Sequence, residues 1–102
     1  MIVLLASVGN PDFSQDPDRP MYGCERNAWH PVMSYKEASD LCRDFISRND
    51  LGGGNWSGGD IAVQGTVVAY VSYNGRVWEV TKKTPKWSGK AKEIQINLEK
   101  SN

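Results

Sequence analysis

Cys24 and His30 stand six residues apart, and a cysteine near a histidine base is the minimal pair for nucleophilic catalysis. Asp12, Asp16 or Asp18 would be the carboxylate that orients the imidazole. His30 is the only histidine, and no nucleophile elbow or other signature spacing surrounds the pair. A small Cys/His hydrolase or transferase is therefore the least supported of three functions that the residues allow. The same aspartates carry oxygen ligands for a hard cation, but the alternating acids, central glycine and closing glutamate of an EF-hand are missing. Two cysteines and one histidine lack the spacing of a zinc site. No catalytic constellation, metal or cofactor is expected.

A second chemistry resides in the run from Lys82 to Lys92. It holds Lys82, Lys83, Lys86, Lys90 and Lys92 around one aromatic, Trp87. Lysines grip phosphates and an indole stacks on a base, which is the equipment of a nucleic-acid surface. Arg76 and Tyr73, beside an Asn74-Gly75 turn, extend it. The plain alternative is a solvated loop whose charges keep sheet edges from pairing with other chains.

The third candidate is the stretch Gly52-Gly53-Gly54-Asn55-Trp56-Ser57-Gly58-Gly59, with Asn55 and Trp56 as contact residues. It lacks the G-K-[ST] of a phosphate loop and precedes a strand rather than opening a helix. Its expected roles are a helix stop and connector, with Trp56 on the core edge or offered to a partner.

These groups must be positioned by a small body. The chain has 102 residues, 39% hydrophobic and 24% charged, with four Trp, four Tyr and two Phe. That composition is globular and the length suits one domain with one core. Twelve basic residues balance twelve acidic ones, so the whole molecule has no strong pull on nucleic acid or an anionic membrane. The balance is uneven along the chain: the first fifty residues carry five Lys/Arg against eight Asp/Glu, and the rest carry seven against four. The apolar start, Ile2 to Val8, is too short for a signal-peptide core and reads as a strand. With two unpaired-looking cysteines, a cytoplasmic setting is expected, and no segment approaches the roughly 18 apolar residues of a membrane span.

Residues from about 10 to 31 contain four prolines and no periodicity, and read as a long irregular loop. Ser34 and Glu37 form an S-x-x-E capping box ahead of a helix from about Tyr35 to Arg48. Ala38, Leu41, Cys42, Phe45 and Ile46 make its apolar stripe, and Asn49 to Gly52 stop it. Strands follow: one through Ile61 and Val63, then Val67 to Tyr73, then a partner after Asn74-Gly75. A type I′ turn at Asn74-Gly75 pairs Tyr73 with Arg76, Val71 with Trp78 and Ala69 with Val80, and puts Val67, Ala69, Val71, Trp78 and Val80 on the core face. An odd loop or bulge near Gln64-Gly65 would return Ile61 and Val63 to the core. Ile94, Ile96 and Leu98 alternate as a last strand.

The fold expected is α+β: one amphipathic helix packed on a largely antiparallel sheet, in the order β-α-β-β-β-β. The strand–helix–strand start also allows one parallel pairing. The function expected is a small non-enzymatic binding or regulatory module. It would act on a protein partner through exposed aromatic, Gly-rich and Lys-rich loops, with Asn55, Trp56, Arg76, Lys82, Lys83, Lys86, Trp87 and Lys90 as contacts. Nucleic-acid binding through Lys82–Lys92 and Trp87 is the alternative, and a membrane partner is not expected.

Overall fold

The computed structural model of the chain describes residues 1–9, 26–85 and 88–96. The elements are β1 (Ile2–Leu5), β2 (Ala28–Pro31), α1 (Tyr35–Arg48), a 3-10 turn at Gly53–Asn55, β3 (Asp60–Val63), β4 (Thr66–Val71), β5 (Val77–Glu79) and β6 (Glu93–Ile94). Among the described residues they form one open sheet, ordered β2-β1-β3-β4-β5-β6, with every neighbouring pair antiparallel. The α+β class stands. The parallel pairing that the sequence allowed is absent, because β1 lies between β2 and β3 and runs against both.

The added strand, β2, comes from the end of the proline-rich stretch. Asn27 fixes its entry: the side chain accepts from the Ser7 N–H at 2.9 Å and returns a bond to the Ser7 carbonyl. The Val32 N–H donates to the Met1 carbonyl at 2.9 Å, so Val32, His30 and Ala28 turn their backbone groups toward β1. Trp29 and Pro31 turn theirs to the outer side of β2, which no other described strand pairs and where a proline offers no donor. The edge is thereby poor at recruiting another strand.

Helix α1 spans Tyr35–Arg48, as its sequence pattern predicts. Ser34 Oγ accepts the Glu37 N–H at 3.1 Å, while Glu37 Oε1 accepts from Met33, one residue before the cap, at 2.5 Å. At the other end Asp50 takes φ +52°, the Leu51 N–H donates to the Ile46 carbonyl, and the Asp50 N–H donates to that of Ser47. These are the two bonds of a Schellman motif, with Leu51 buried against the helix end as its apolar partner. The left-handed position falls on aspartate, not on Gly52.

Helix α1 packs on β1 and β4. Ala38, Cys42 and Phe45 meet Val3, Leu5, Ile61, Ala69, Val71 and Val77 in the core, with Leu41 and Ile46 partly buried at its margin. Ser39 is buried too, its Oγ donating to the Gly75 carbonyl at 2.7 Å.

Both hairpins correct the expected register. The two-residue loop with paired positive φ is Gln64-Gly65, at +51° and +81°. A bulge then intervenes: Ile61 pairs with Ala69 but Ala62 with Val67, so Val68 is extra. Ile61 is returned to the core, whereas Val63 and Val67 are exposed. At Asn74-Gly75 only Gly75 has positive φ, +88°, and the loop has three residues, Tyr73 to Gly75. The Gly75 N–H donates to the Ser72 carbonyl, and Asn74 Oδ1 accepts the Ser72 hydroxyl and the Arg76 N–H. Val71 consequently pairs with Val77, Tyr70 with Trp78 and Ala69 with Glu79. Val77 takes the core place expected of Trp78, which moves to the opposite face. Val80 is only partly buried, and the last strand is limited to Glu93–Ile94, with Leu98 outside the described residues.

Candidate binding surface

The face of the sheet away from α1 follows from this register. Cross-strand partners share a face, so the residues opposite to buried Val3, Ile61 and Val77 point away from the helix. One row across the strands reads Pro31, Ile2, Ala62, Val67. Trp29 pairs with Leu4, and Asp60, Tyr70, Trp78 and Glu93 form a further row. Trp29 is 45% exposed and Ile2 38%, while Tyr70 and Trp78 are half-buried. Small Ala62 is buried between its neighbours.

Tyr70 and Trp78 wall a cleft of about 230 Å3, closed on its far side by Gly89 and Ala91 of the lysine-rich loop. The Trp78 indole N–H donates to Ser72 Oγ at 3.2 Å, which fixes the ring. Hydrogen bonds hold the described residues of that loop. The Thr81 N–H donates to the Thr84 carbonyl while Thr81 Oγ1 accepts from Thr84, and the Ser88 N–H donates to the Pro85 carbonyl. Lys82 and Lys83 stand exposed between Thr81 and Thr84, and Lys90 is exposed between Gly89 and Ala91. Lys86 and Trp87 lie outside the described residues. Arg76 is exposed at the hairpin tip, 4.0 Å from a carboxylate oxygen of Glu93. Glu93 and Asp60 therefore bracket the Tyr70–Trp78 pair with negative charge.

The glycine-rich stretch has a different placement. Asn55 is buried, donating from Nδ2 to the Val8 carbonyl at 3.0 Å and accepting from the Gly52 N–H. Trp56 is half-buried: its ring lies 6.1 Å from that of Phe45, and its indole N–H donates to the Val71 carbonyl at 3.1 Å. At Gly59, φ +100°, any Cβ would run into that same Val71 carbonyl. Asn55 and Trp56 thus tie the stretch to the segment after β1, to β4 and to the core, and little of either is offered to a partner.

His30 is exposed on β2, and Cys24 lies outside the described residues, as do Asp12, Asp16 and Asp18. Cys42 is a buried free thiol whose pKa is pushed up to about 12 by desolvation, the environment of a packing residue. Among the described residues no group of His, Cys, Asp and Glu is placed to hold a metal ion, and no helix is long and apolar enough to cross a membrane.

Trp29, Tyr70 and Trp78 are the surface residues that sequence reasoning missed. Trp78 was hidden by a one-residue register error, Trp29 by prolines that masked the strand alternation of Ala28-Trp29-His30, and Tyr70, already opposite Ala69 and Val71, gained its aromatic neighbour only in the observed register. Comparison with protein-family models, curated proteins and solved structures finds no match to the chain.

Proposed function

We infer that the chain is a small non-enzymatic binding module that engages a protein partner through the face of its sheet opposite α1. The carrying observation is the set of apolar and aromatic side chains, Ile2, Trp29, Val67, Tyr70 and Trp78, spread over that face. Tryptophan and tyrosine anchor protein interfaces because they bury large areas at low entropic cost. Asp60 and Glu93 beside the aromatic pair favour a partner with mixed charge over a polyphosphate. Lys82, Lys83, Lys90 and Arg76 make a polar, basic rim. A cytoplasmic setting accompanies this reading and accords with the free, buried Cys42.

Affinity capture on the full chain tests it. Proteins retained in high salt after nuclease treatment should be lost when Trp29 and Trp78 are both changed to Ser. An identical set held by parent and variant, or none held after nuclease, would overturn it.

One observation supports a second reading, single-stranded nucleic acid: the Tyr70–Trp78 cleft abuts the lysine-rich loop. Trp78, more than Trp87, would then be the stacking residue. Trp78→Ala should cost roughly 1–3 kcal/mol of affinity with little change in salt slope, and Lys82, Lys83 and Lys90 changed together to Ala should flatten the slope. Absence of binding to a short single strand at low salt ends this reading.

A further inference from the structure

A shallow, solvent-open cavity of about 280 Å3 lies between the C-terminal half of α1 and the tip of the β4–β5 hairpin, lined by Ile46 and the exposed Arg43, Ser47, Tyr73 and Asn74. It lies apart from the face assigned to a protein partner and does not rest on that reading.

Three of its lining side chains carry donors. Asn74 Oδ1 already accepts from Ser72 and Arg76, so the group this amide has left to offer a ligand is its Nδ2 donor. Ser47 supplies a hydroxyl one helical turn beyond Arg43. Arg43 itself is held in place by backbone geometry: its stem crosses Gly75, with Cδ 2.6 Å from where a Cβ would stand. The other cations of α1 have carboxylates four residues away, Lys36 with Asp40 at 2.8 Å and Arg48 with Asp44. Arg43 has Ser39 and Ser47 at those positions, and among the described residues it has no carboxylate partner. The remaining walls are apolar. Ile46 forms one, and the ring of Tyr73 forms another, fixed by its hydroxyl donating to the Leu51 carbonyl at 2.9 Å.

We propose that this cavity binds a monocarboxylate carrying a flat or apolar group. The planar guanidinium fork matches the two oxygens of a carboxylate, and Ser47 and Asn74 add donors beside it. One cation without a carboxylate partner among the described residues balances one negative charge, which suits a carboxylate better than a phosphate dianion. The group attached to the carboxylate rests on Ile46 and the Tyr73 ring. A free aromatic acid and the terminal carboxylate of a peptide present the same chemistry.

The full chain is titrated with benzoate while the Arg43 Nε–H, the Asn74 Nδ2 protons and the Gly75 amide are followed by NMR. These signals should shift saturably at millimolar benzoate, as expected for a ligand of this size, and should not shift with benzamide. Arg43→Lys should weaken binding about tenfold, since it keeps the charge and loses the fork, and Arg43→Gln should abolish it. The amides of Ile61 and Val71 should be unmoved in both variants, showing an intact fold. Equal shifts with benzamide, or binding retained in Arg43→Gln, would overturn the site. Tighter binding of phenyl phosphate would overturn its assignment to a monocarboxylate. A short peptide ending in phenylalanine, against its amidated form and benzoate, distinguishes the sources. Either order of peptide and benzoate supports the site, and equal binding of the amidated peptide counts against it.

Discussion

The Ser39 hydroxyl donates to the carbonyl of Gly75 across 2.7 Å, joining the middle of α1 to the tip of the hairpin that carries β4 into β5. Both residues are buried, so neither group can turn to water instead. Ser39→Ala leaves the carbonyl unsatisfied and should cost roughly 1–3 kcal/mol. Urea unfolding should show a lower midpoint with an unchanged slope.

Gly75 and Gly65 both occupy left-handed backbone, but only Gly75 is also crowded, by the Arg43 stem. At Gly65 a Cβ would meet nothing within 4 Å. Gly75→Val should therefore destabilise the chain clearly more than Gly65→Val, each by at least about 1 kcal/mol from backbone strain. Thermal unfolding of the pair checks the order, and equal losses would show that Arg43 gives way freely.

Phe45 is 1% exposed and packs among Val71, Ile61 and Trp56, while Trp78 is half-buried on the other face. Phe45→Ala should cost roughly 3–5 kcal/mol, the range for a deleted core aromatic. Trp78→Ala should cost much less, although the deleted side chain is larger. Denaturant titrations of the two variants measure the contrast.

The Cys42 thiol, raised by burial from 9.0 to about 12, keeps its proton in the folded chain where the unfolded chain has lost it. Stability from this group is fully present below about pH 9 and falls as pH rises from there toward 12. The slope is about 1.4 kcal/mol per pH unit for one proton. Unfolding at pH about 8 and about 10, for the parent and Cys42→Ala, should show the parent losing more between them.

The helix was legible in the sequence because three independent signals coincide: the Ser34 cap, the stripe through Cys42 and Phe45, and the stop after Arg48. The strands were legible as strands but not in register. Asn74-Gly75 fits the favoured two-residue turn, yet a longer loop with left-handed Gly75 lets the compact Val77 enter the core and keeps Trp78 out. One residue of slip exchanges the faces of a strand, so the aromatic surface could not be read until the loop was known. β2 was missed because Pro31 breaks the local pattern, and its role at an edge is set by β1, a partner distant in sequence. Asn55 and Trp56 have types that suit a binding loop, and their fixed bonds to Val8 and Val71 depend on long-range contacts invisible in local spacing.

The place of β1 has a consequence for the order of assembly. β3, β4 and β5 are neighbours in sequence as well as in the sheet, so their meander can close through short loops at little entropic expense. β1 precedes the meander in the chain, yet it takes its place beside β3 only when Ile2 meets Ala62, a partner far along the sequence. β2 pairs with β1 alone, and until β1 docks on β3 the apolar face of α1 lacks the cover that Val3 and Leu5 supply. Folding should therefore be limited by a single long-range closure, seen as one slow phase that changes in β1 core residues such as Val3 retard more than changes in the meander.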